Sequence, residues 1–352
     1  MKTSSTMTFG CDISDRYTQI CGLDDAGTVV LRQRVLSTQA GFESFFRKRK
    51  RARVVLEVGT HSPWISELVA GLGHETFVAN PRNLKLITQN ANKSDIVDAE
   101  MLARLGRADP KLLSPIQHRS KAARQDLAVI RARNALVRTR VMLVNHVRGS
   151  VKPFGLRIPK GNSGGETFVE RAAKTIPPEL EAGMAPVLQV LRTVTEQIKA
   201  IDKRLETEVA GRHPEAKLLQ QVGGIGAVTS LAYVLTLEDP KRFRKSRQVG
   251  AFLGLRPRRN QSGSADPELH INKCGDVYLR ALLVQCSQFM LGPFGKDSDL
   301  RRWGLALASR GKRNAKKKAV VAVARRLAVL LHRLWVTGEV YQPLGYAGKQ
   351  AA

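Results

Sequence analysis

The segment RVVLEVG, residues 53–59, constrains the fold of the N-terminal region more than any other stretch of the chain. A near-continuous apolar run of this kind is typical of a strand that is buried on both faces, as in a sheet covered by helices. Glu57 interrupts the run, and a carboxylate within a buried strand is costly unless a partner compensates its charge. The sequence therefore predicts a covered sheet with an acid in one of its strands.

The neighbouring segments extend this pattern. Two strand-like segments before residue 36 are separated by the Gly-containing turn DAG, which is typical of a hairpin. Short amphipathic helices then alternate with strands as far as the helix SDIVDAEMLARLGR, residues 94–107. The order of three strands, helix, strand, helix, strand and helix predicts an α/β domain with a mixed sheet, over residues 7–118.

Four carboxylates of this domain form the first candidate site. Asp12 ends the strand segment TFGCD, and Glu57 lies in the buried strand, while Asp95 and Asp98 share one face of the later helix. Such groups repel one another unless a cation lies between them, and oxygen ligands select Mg²⁺ or Mn²⁺. Two such ions can activate an attacking oxygen and stabilise a leaving oxygen in phosphodiester chemistry. Taken alone, Asp95 and Asp98 also fit an acidic first helical turn capped by Ser94.

The charge of the chain indicates the partner. Lys and Arg number 58 against 30 acidic residues, which gives a formal net charge of +28 over 352 residues. Nucleic acid is the expected partner because neutralising phosphates releases counterions, and an anionic membrane surface is the weaker alternative. No apolar run of about 18 residues is present, and the four cysteines show no metal-ligand spacing. We therefore expect a cytoplasmic, nucleoid-associated protein with no membrane segment and with reduced cysteines.

Residues 119–212 are predicted to form long helices. The helix over 119–150 carries arginines on its polar faces, among them Arg124, Arg131 and Arg138, which are candidate phosphate contacts. The helix over 185–212 has apolar residues at steps of three or four, which suits either a helical hairpin or a coiled coil. We take this region as the candidate for oligomerisation, with Leu191→Asp and Ile198→Asp together expected to yield monomers.

Residues 213–352 are predicted to be mostly α-helical. Within them, LLQQVGGIGAVTSLAYVLTL has the form helix, Gly-Ile-Gly turn, helix, with Gly224 and Gly226 in the turn. In a helix-hairpin-helix element, such a turn exposes backbone N–H groups at a helix N-terminus, where a phosphate can bind.

The second candidate site is the segment RPRRNQSGSADPELHINKCGD, residues 256–276. Ser262 lies there in a Gly-containing loop, and a Ser hydroxyl becomes a nucleophile only when a base or neighbouring cations activate it. The basic side chains around it suit a phosphate and charge that develops on it. From the residues alone, contact with a DNA phosphate outweighs a nucleophilic role. The basic candidates here and just downstream are Arg256, Arg258, Arg259, Lys273 and Arg280.

Motifs from both halves of the chain resemble one family. GCDIS, LEVGTHSPW, VANPRNLK and NKSDIVDAEMLA resemble the N-terminal domain of the DEDD transposases of the IS110 insertion-sequence group. VGGIGAVTSLAYVL, RFRKSRQVGAFLGLRPRRNQSG and INKCGDVYLRALL resemble the second domain of the same family, in wording closest to its IS1111 branch. The resemblance spans most of the chain, with the two domain signatures in the expected order.

The resemblance implies a ribonuclease-H-like domain, similar to Holliday-junction resolvases of the RuvC type. In it, Asp12, Glu57, Asp95 and Asp98 bind Mg²⁺ or Mn²⁺. It also implies a second, mostly helical transposase domain in which Ser262 matches the nucleophile. Family members often carry Ser or Thr where this chain has Gln261, and Ser264 is a second hydroxyl nearby.

The resemblance further implies a mechanism and partners. Ser262 is expected to attack a DNA phosphodiester and hold a 5′ phosphate as phosphoserine, with Mg²⁺ stabilising the departing 3′ oxygen. Donor DNA, target DNA and an element-encoded guide RNA are the implied partners, and a homodimer or tetramer brings the two sites together. The competing hypotheses are a metal-dependent resolvase without a covalent intermediate, a non-enzymatic nucleic-acid-binding protein, and a serine recombinase that needs no acids.

Overall fold

A computed structural model describes residues 7–80, 94–161, 166–263, 265–267, 269–311 and 314–345. The chain divides into two compact units, residues 1–118 and residues 119–352. No helix in the described ranges is both long and apolar enough to cross a membrane.

The first unit contains one mixed five-stranded sheet in the order β3-β2-β1-β4-β5. The first three strands are antiparallel neighbours, whereas β1, β4 and β5 are parallel. This confirms the predicted α/β domain with a mixed sheet and is consistent with a ribonuclease-H-like fold. The strands are β1 Thr8–Ile13, β2 Tyr17–Leu23, β3 Val29–Leu36, β4 Arg53–Glu57 and β5 Glu75–Ala79.

Helices cover the two faces of this sheet. On one face, α1 (Gln39–Phe46) and α2 (Ser62–Gly71) pack on alternate strand residues such as Phe9 and Leu56. On the other face, α3 (Asp95–Ala108) packs on β1, β2 and β4, where Val55 and Cys21 contribute to the interface. Both faces of β4 are therefore buried, as its apolar run predicts.

The second unit consists of helices and short turns. Long helices dominate its N-terminal half, and a Gly-Ile-Gly turn separates two of the shorter helices that follow. The helices are α4 Lys121–Ser150, α5 Glu166–Thr175, α6 Pro178–Arg204, α7 Glu215–Leu219, α8 Ala227–Leu237, α9 Arg247–Phe252, α10 Val277–Leu291, α11 Asp299–Ala308 and α12 Ala315–Thr337.

One apolar core crosses the predicted boundary at residue 212. The first turns of α4 contribute Leu127 and Ile130 to the same cluster as Val209, Leu219 and Leu327. The predicted regions 119–212 and 213–352 therefore form one unit, because the start of α4 and the end of the α6 segment complete the core of the C-terminal helices.

The helix predicted over 185–212 begins earlier and belongs to an intramolecular hairpin. It starts at Pro178, continues through Pro186 to Arg204, and ends in a π-helical turn, Leu205–Val209. Its buried Leu191 packs in one cluster with Val144 and Val147 of α4. The apolar stripe is thus covered within the chain, which corrects its assignment as an oligomerisation surface. Asp at Leu191 and Ile198 would disrupt this core, so that pair does not test assembly.

Candidate active site and nucleic-acid interface

Asp12 and Glu57 are brought together by strand register. Cys11 of β1 lies opposite Leu56 of β4, so the next residues in this parallel pair are Asp12 and Glu57. Both acids lie at the carboxyl ends of their strands and are half-buried. Since Cys11 and Leu56 point into the α1–α2 core, Asp12 and Glu57 face the opposite side, which α3 covers.

Gly10 lets α3 approach this side of the sheet closely. A Cβ atom on Gly10 would lie 2.0 Å from the carbonyl oxygen of Ala99 and 2.5 Å from the nitrogen of Ala103. Only glycine permits this contact between helix backbone and strand. Asp12 follows Gly10 by two residues on the same face of β1, and Asp98 precedes Ala99 on α3. The close contact therefore sets the N-terminal turn of α3 toward the edge that carries Asp12.

Asp98 is the acid whose surroundings best fit a cation. Its side chain is 9% exposed, and its Oδ1 atom is buried without a hydrogen-bond partner. A buried carboxylate oxygen with no donor is costly, and a divalent cation bound by oxygen ligands removes that cost. Asp98 also lies in the first turns of α3, which Ser94 caps by accepting a hydrogen bond from the Val97 N–H at 3.4 Å.

The four predicted acids are not all equally placed. Asp95 is exposed at the first position of α3, whereas Asp98 is buried one turn later. No three His, Cys, Asp or Glu side chains are already gathered around a metal position in the part of the chain that the structure describes. Among the four candidates, Asp98 is buried, Asp12 and Glu57 are half-buried, and Asp95 is the outermost.

Glu100, the next acid on α3, has a different function. Its carboxylate pairs with Arg32 of β3 at 2.7 Å and with Arg104 one helical turn away at 2.7 Å. Hydrogen bonds from Arg32 and Arg104 hold the pKa of Glu100 below its ordinary value. This side chain is therefore committed to fixing α3 on the sheet. Cys11 is not placed as a ligand, because its buried side chain packs in the α1–α2 core on the other face of the sheet. Burial there and the charge of Asp12 raise the pKa of its thiol.

Two loops at the acid-bearing edge are tied by a histidine that sequence analysis did not single out. Trp64 donates its Nε1–H to Nδ1 of His61 at 3.1 Å, so Nε2 carries the ring proton and donates to Asp15 at 3.1 Å. Asp15 follows β1 and His61 follows β4. The signal for this link was the motif GTHSPW, in which a polar pair precedes a helix start.

Ser262 lies at the tip of a narrow hairpin. Its backbone N–H donates to the Ala265 carbonyl at 3.1 Å, and the Ala265 N–H donates back at 3.0 Å. Gly263 has φ +55°, a left-handed conformation that suits glycine. Ser262 is exposed, and Ser264 lies outside the described residues. Ser262 is therefore accessible at the protein surface.

The base of this hairpin corrects the prediction for Arg280. That side chain is only 8% exposed, and its Nη1 donates to the carbonyls of Leu253 at 2.9 Å and Cys274 at 2.7 Å. These carbonyls belong to the two legs of the hairpin, so the guanidinium holds the legs together. A buried guanidinium committed in this way is not available to a nucleic-acid phosphate.

The remaining predicted cations of the hairpin are exposed. Arg256, Arg258 and Lys273 lie on its surface, and Arg259 makes a long ion pair of 3.5 Å with Asp266. Hydrogen bonds from Arg258 N–H to the His270 carbonyl and from Asn272 N–H to the Arg256 carbonyl order the legs. The hairpin therefore carries its cations on an ordered backbone.

The arginines predicted on α4 differ in exposure. Arg131 is 62% exposed and 3.8 Å from Asp276, and Arg138 is exposed, whereas Arg124 is half-buried near the start of the helix. Arg131 and Arg138 are consequently better placed for a phosphate than Arg124.

The Gly-Ile-Gly segment forms a turn between two helices, as predicted. Gly224 has φ +91°, and a Cβ there would lie 3.0 Å from the ring of Phe289. Gly226 is extended and directly precedes α8, which has no side-chain cap. The first N–H groups of α8 are thus not capped by a side chain, as a phosphate site at a helix N-terminus requires.

These features define a class of protein: a nucleic-acid-processing enzyme with an acid-bearing α/β domain and a basic helical domain. Comparison with known proteins agrees. A transposase family model with DEDD acids matches residues 9–154, and the model of the transposase IS116/IS110/IS902 family matches residues 216–297.

Full-length relatives support both matches. The chain is 30% identical to a probable family 20 transposase of Pseudomonas aeruginosa, over 95% of this chain and 98% of that protein. It is 29% identical to the transposase for insertion sequence element IS1111A of Coxiella burnetii, over 95% of this chain and 90% of that protein. It is 28% identical to the transposase for insertion sequence element IS1328 of Yersinia enterocolitica, over 94% of this chain and 97% of that protein. The chain belongs to the IS110/IS116 family of insertion-sequence transposases, which are DNA-recombining enzymes.

Proposed function

We propose that this transposase cuts and rejoins donor and target DNA through a covalent phosphoserine intermediate. The metal-dependent part of the proposal is supported by the buried, unpartnered Oδ1 of Asp98, on the helix that covers the Asp12–Glu57 face of the sheet. A structural acid would have a donor there, whereas a cation-binding acid keeps an oxygen available. The covalent part is supported by the exposed position of Ser262 in its basic hairpin.

Ser262 supplies the nucleophile in this proposal. Its Oγ attacks the phosphorus of a DNA phosphodiester, the bond between phosphorus and the 3′ oxygen breaks, and the hydroxyl proton passes in net terms to that oxygen. The products are a 5′ phosphate on Ser262 and a free 3′ hydroxyl. Attack by a different 3′ hydroxyl on the phosphoserine then reverses these bond changes and joins the exchanged strand.

The charged side chains of the protein bind the cation and the phosphates. Asp12, Glu57, Asp95 and Asp98 would hold Mg²⁺ or Mn²⁺, which supplies stabilisation of negative charge on oxygen when bound. Exposed Arg256, Arg258, Arg259 and Lys273 orient the phosphate near Ser262 through charge-assisted hydrogen bonds. The N-terminus of α8 holds a neighbouring backbone phosphate.

We also propose that an element-encoded RNA guides the enzyme and that it acts as a dimer or tetramer. The net charge of +28 supports binding of more than one nucleic acid, since each neutralises part of the self-repulsion. Nuclease treatment and mass measurement in solution test these two points: bound RNA should be required for target choice, and the mass should exceed one chain.

Covalent trapping tests the central proposal. The full-length protein, with RNA transcribed from its flanking DNA, is mixed with labelled donor and target DNA and Mg²⁺, and adducts are resolved on a denaturing gel. We expect an adduct that Ser262→Ala abolishes and that Ser309→Ala, an exposed control, retains. Cleavage without an adduct would instead support a hydrolytic, resolvase-like nuclease, and binding without cleavage would support a non-enzymatic protein.

A further inference from the structure

Strand register places four polar residues in one row across the sheet. Asp12 lies next to Glu57 of β4 on one side and opposite Gln19 of β2 on the other, and Gln19 lies opposite Arg34 of β3. Directly opposed residues of neighbouring strands share a face. This row therefore runs from β4 across β1 and β2 to the outer strand β3. Its members are Glu57, Asp12, Gln19 and Arg34.

The neighbouring row confirms which face this is. Gly10, Cys21 and Arg32 are opposed in the same way, and Gly10 and Cys21 lie under α3 while Arg32 pairs with Glu100 of that helix. Arg34 follows Arg32 by two residues, so it lies on the same face. It is thus on the side of the sheet that carries the predicted metal-binding acids.

Arg34 is held by a ring rather than by a carboxylate. Its Cζ atom lies 4.5 Å from the ring centroid of Tyr17, which precedes Gln19 by two residues on the same face. Arg34 is exposed and makes no ion pair within the described part of the chain, whereas Arg32 is committed to Glu100. A cation over a ring face keeps its N–H groups available for a phosphate.

The spacing of the row suits a nucleic-acid strand. Neighbouring strands are about 4.8 Å apart, so Arg34 lies roughly 10 Å from Asp12 across two strand intervals. This distance is short enough for one nucleic-acid strand to contact Arg34 and also reach the acids. The strand is DNA, because the chain belongs to a family of DNA-recombining enzymes.

We propose that Arg34, supported by Tyr17, forms a phosphate-binding subsite that holds the DNA strand beside the phosphodiester on which the acids act. This inference rests on the proposed function. It makes Arg34 a positioning residue, and it gives the outer strand β3 a part in guiding the substrate.

Salt-dependent binding tests the subsite without any catalysis. Full-length protein is titrated in EDTA with a short fluorescein-labelled single strand of DNA at several NaCl concentrations. Loss of one phosphate contact lowers the magnitude of the slope of log Kobs against log[salt] by about 0.7. We expect this decrease for Arg34→Gln. The matched control is Arg47→Gln, because Arg47 is an exposed arginine that caps α1 on the opposite face and pairs with Glu43.

Variants of the supporting ring sharpen the test. Tyr17→Phe keeps a ring under Arg34 and should retain the slope of the original protein, whereas Tyr17→Ala should lose part of the contact. In cleavage assays, Arg34→Gln should raise KM roughly tenfold and change kcat little. An unchanged slope for Arg34→Gln, or an equal decrease for Arg47→Gln, would overturn the inference. Binding in EDTA does not depend on chemistry at Ser262, so either of these binding results would leave the phosphoserine proposal intact. A missing adduct in the trapping assay would equally leave the proposed subsite intact.

Discussion

A Cβ atom on Gly10 would lie 2.0 Å from the carbonyl oxygen of Ala99, so the central strand and α3 touch through backbone atoms. Gly10→Ala should therefore push α3 away from the sheet and displace Asp98. We expect the free energy of unfolding to fall by about 1–3 kcal/mol or more, together with loss of DNA cleavage. Denaturant unfolding and a cleavage assay measure both effects.

Gly71→Ala is the control for this prediction, because Gly71 ends α2 and a Cβ there would have no atom within 4 Å. It should leave stability and cleavage close to those of the original protein. Equal behaviour of the two variants would show that the contact of Gly10 with α3 does not position the acids.

Asp98 should respond to metal in a distinctive way. Without a divalent ion, Asp98→Asn should raise the free energy of unfolding by about 1 kcal/mol, because a buried carboxylate oxygen has no donor. With Mg²⁺, the original protein should gain about 2.7 kcal/mol at a concentration 100 times Kd, and the variant should not. Thermal unfolding with and without Mg²⁺ measures this, with Glu43→Gln on α1 as control. A variant that keeps the full Mg²⁺ effect would remove Asp98 from the metal site.

Glu100 should make stability depend on pH in the acid range. Hydrogen bonds from Arg32 and Arg104 lower its pKa in the folded state below the ordinary value of 4.5. The contribution of Glu100 to the free energy of unfolding is therefore fully present above about pH 4.5 and is lost as the pH falls through the lowered pKa. The stability difference between the original protein and Glu100→Gln should be largest near neutral pH and should shrink as the pH falls below the ordinary value of 4.5. A difference that is constant from pH 7 to pH 3 would contradict this pairing.

Arg280 should support the Ser262 hairpin from its base. Arg280→Gln removes the donors to the Leu253 and Cys274 carbonyls, which should cost about 1–3 kcal/mol and loosen both legs. Hydrogen exchange should accelerate at the Arg258 and Asn272 amides, and the covalent adduct should decrease. The exposed Arg256→Gln should weaken DNA binding without faster exchange. Unchanged exchange in Arg280→Gln would mean that other contacts hold the hairpin.

The sequence predicted the order of strands and helices in the first unit because apolar periodicity and turn residues encode it directly. RVVLEVG is a strand buried on both faces, and DAG is a hairpin turn, as expected. The start of α6 was predicted too late. A proline at 186 is typical of a first helical turn, yet packing of the apolar stripe sustains the helix through it from Pro178.

The candidate sites could be predicted only in part from the sequence, for a different reason. In the sequence, Arg280 is indistinguishable from the other arginines near Ser262. Only the structure shows that it is buried and that its hydrogen bonds hold the two legs of the hairpin together. Strand register is likewise a tertiary property: it places Arg34 in the row of Asp12, although 22 positions separate them in the sequence. Residue types indicated the chemistry, and the fold determined which members of each type can take part in it.

The most direct test of the proposed phosphoserine intermediate is to identify the side chain that carries the nucleotide in the trapped protein–DNA adduct. The adduct is digested with trypsin and nuclease, and tandem mass spectrometry identifies the modified side chain. We predict a 5′-linked nucleotide on Ser262, and an adduct that forms normally in Ser264→Ala. A nucleotide on another residue, or free 5′ phosphate ends with no modified peptide, would contradict it.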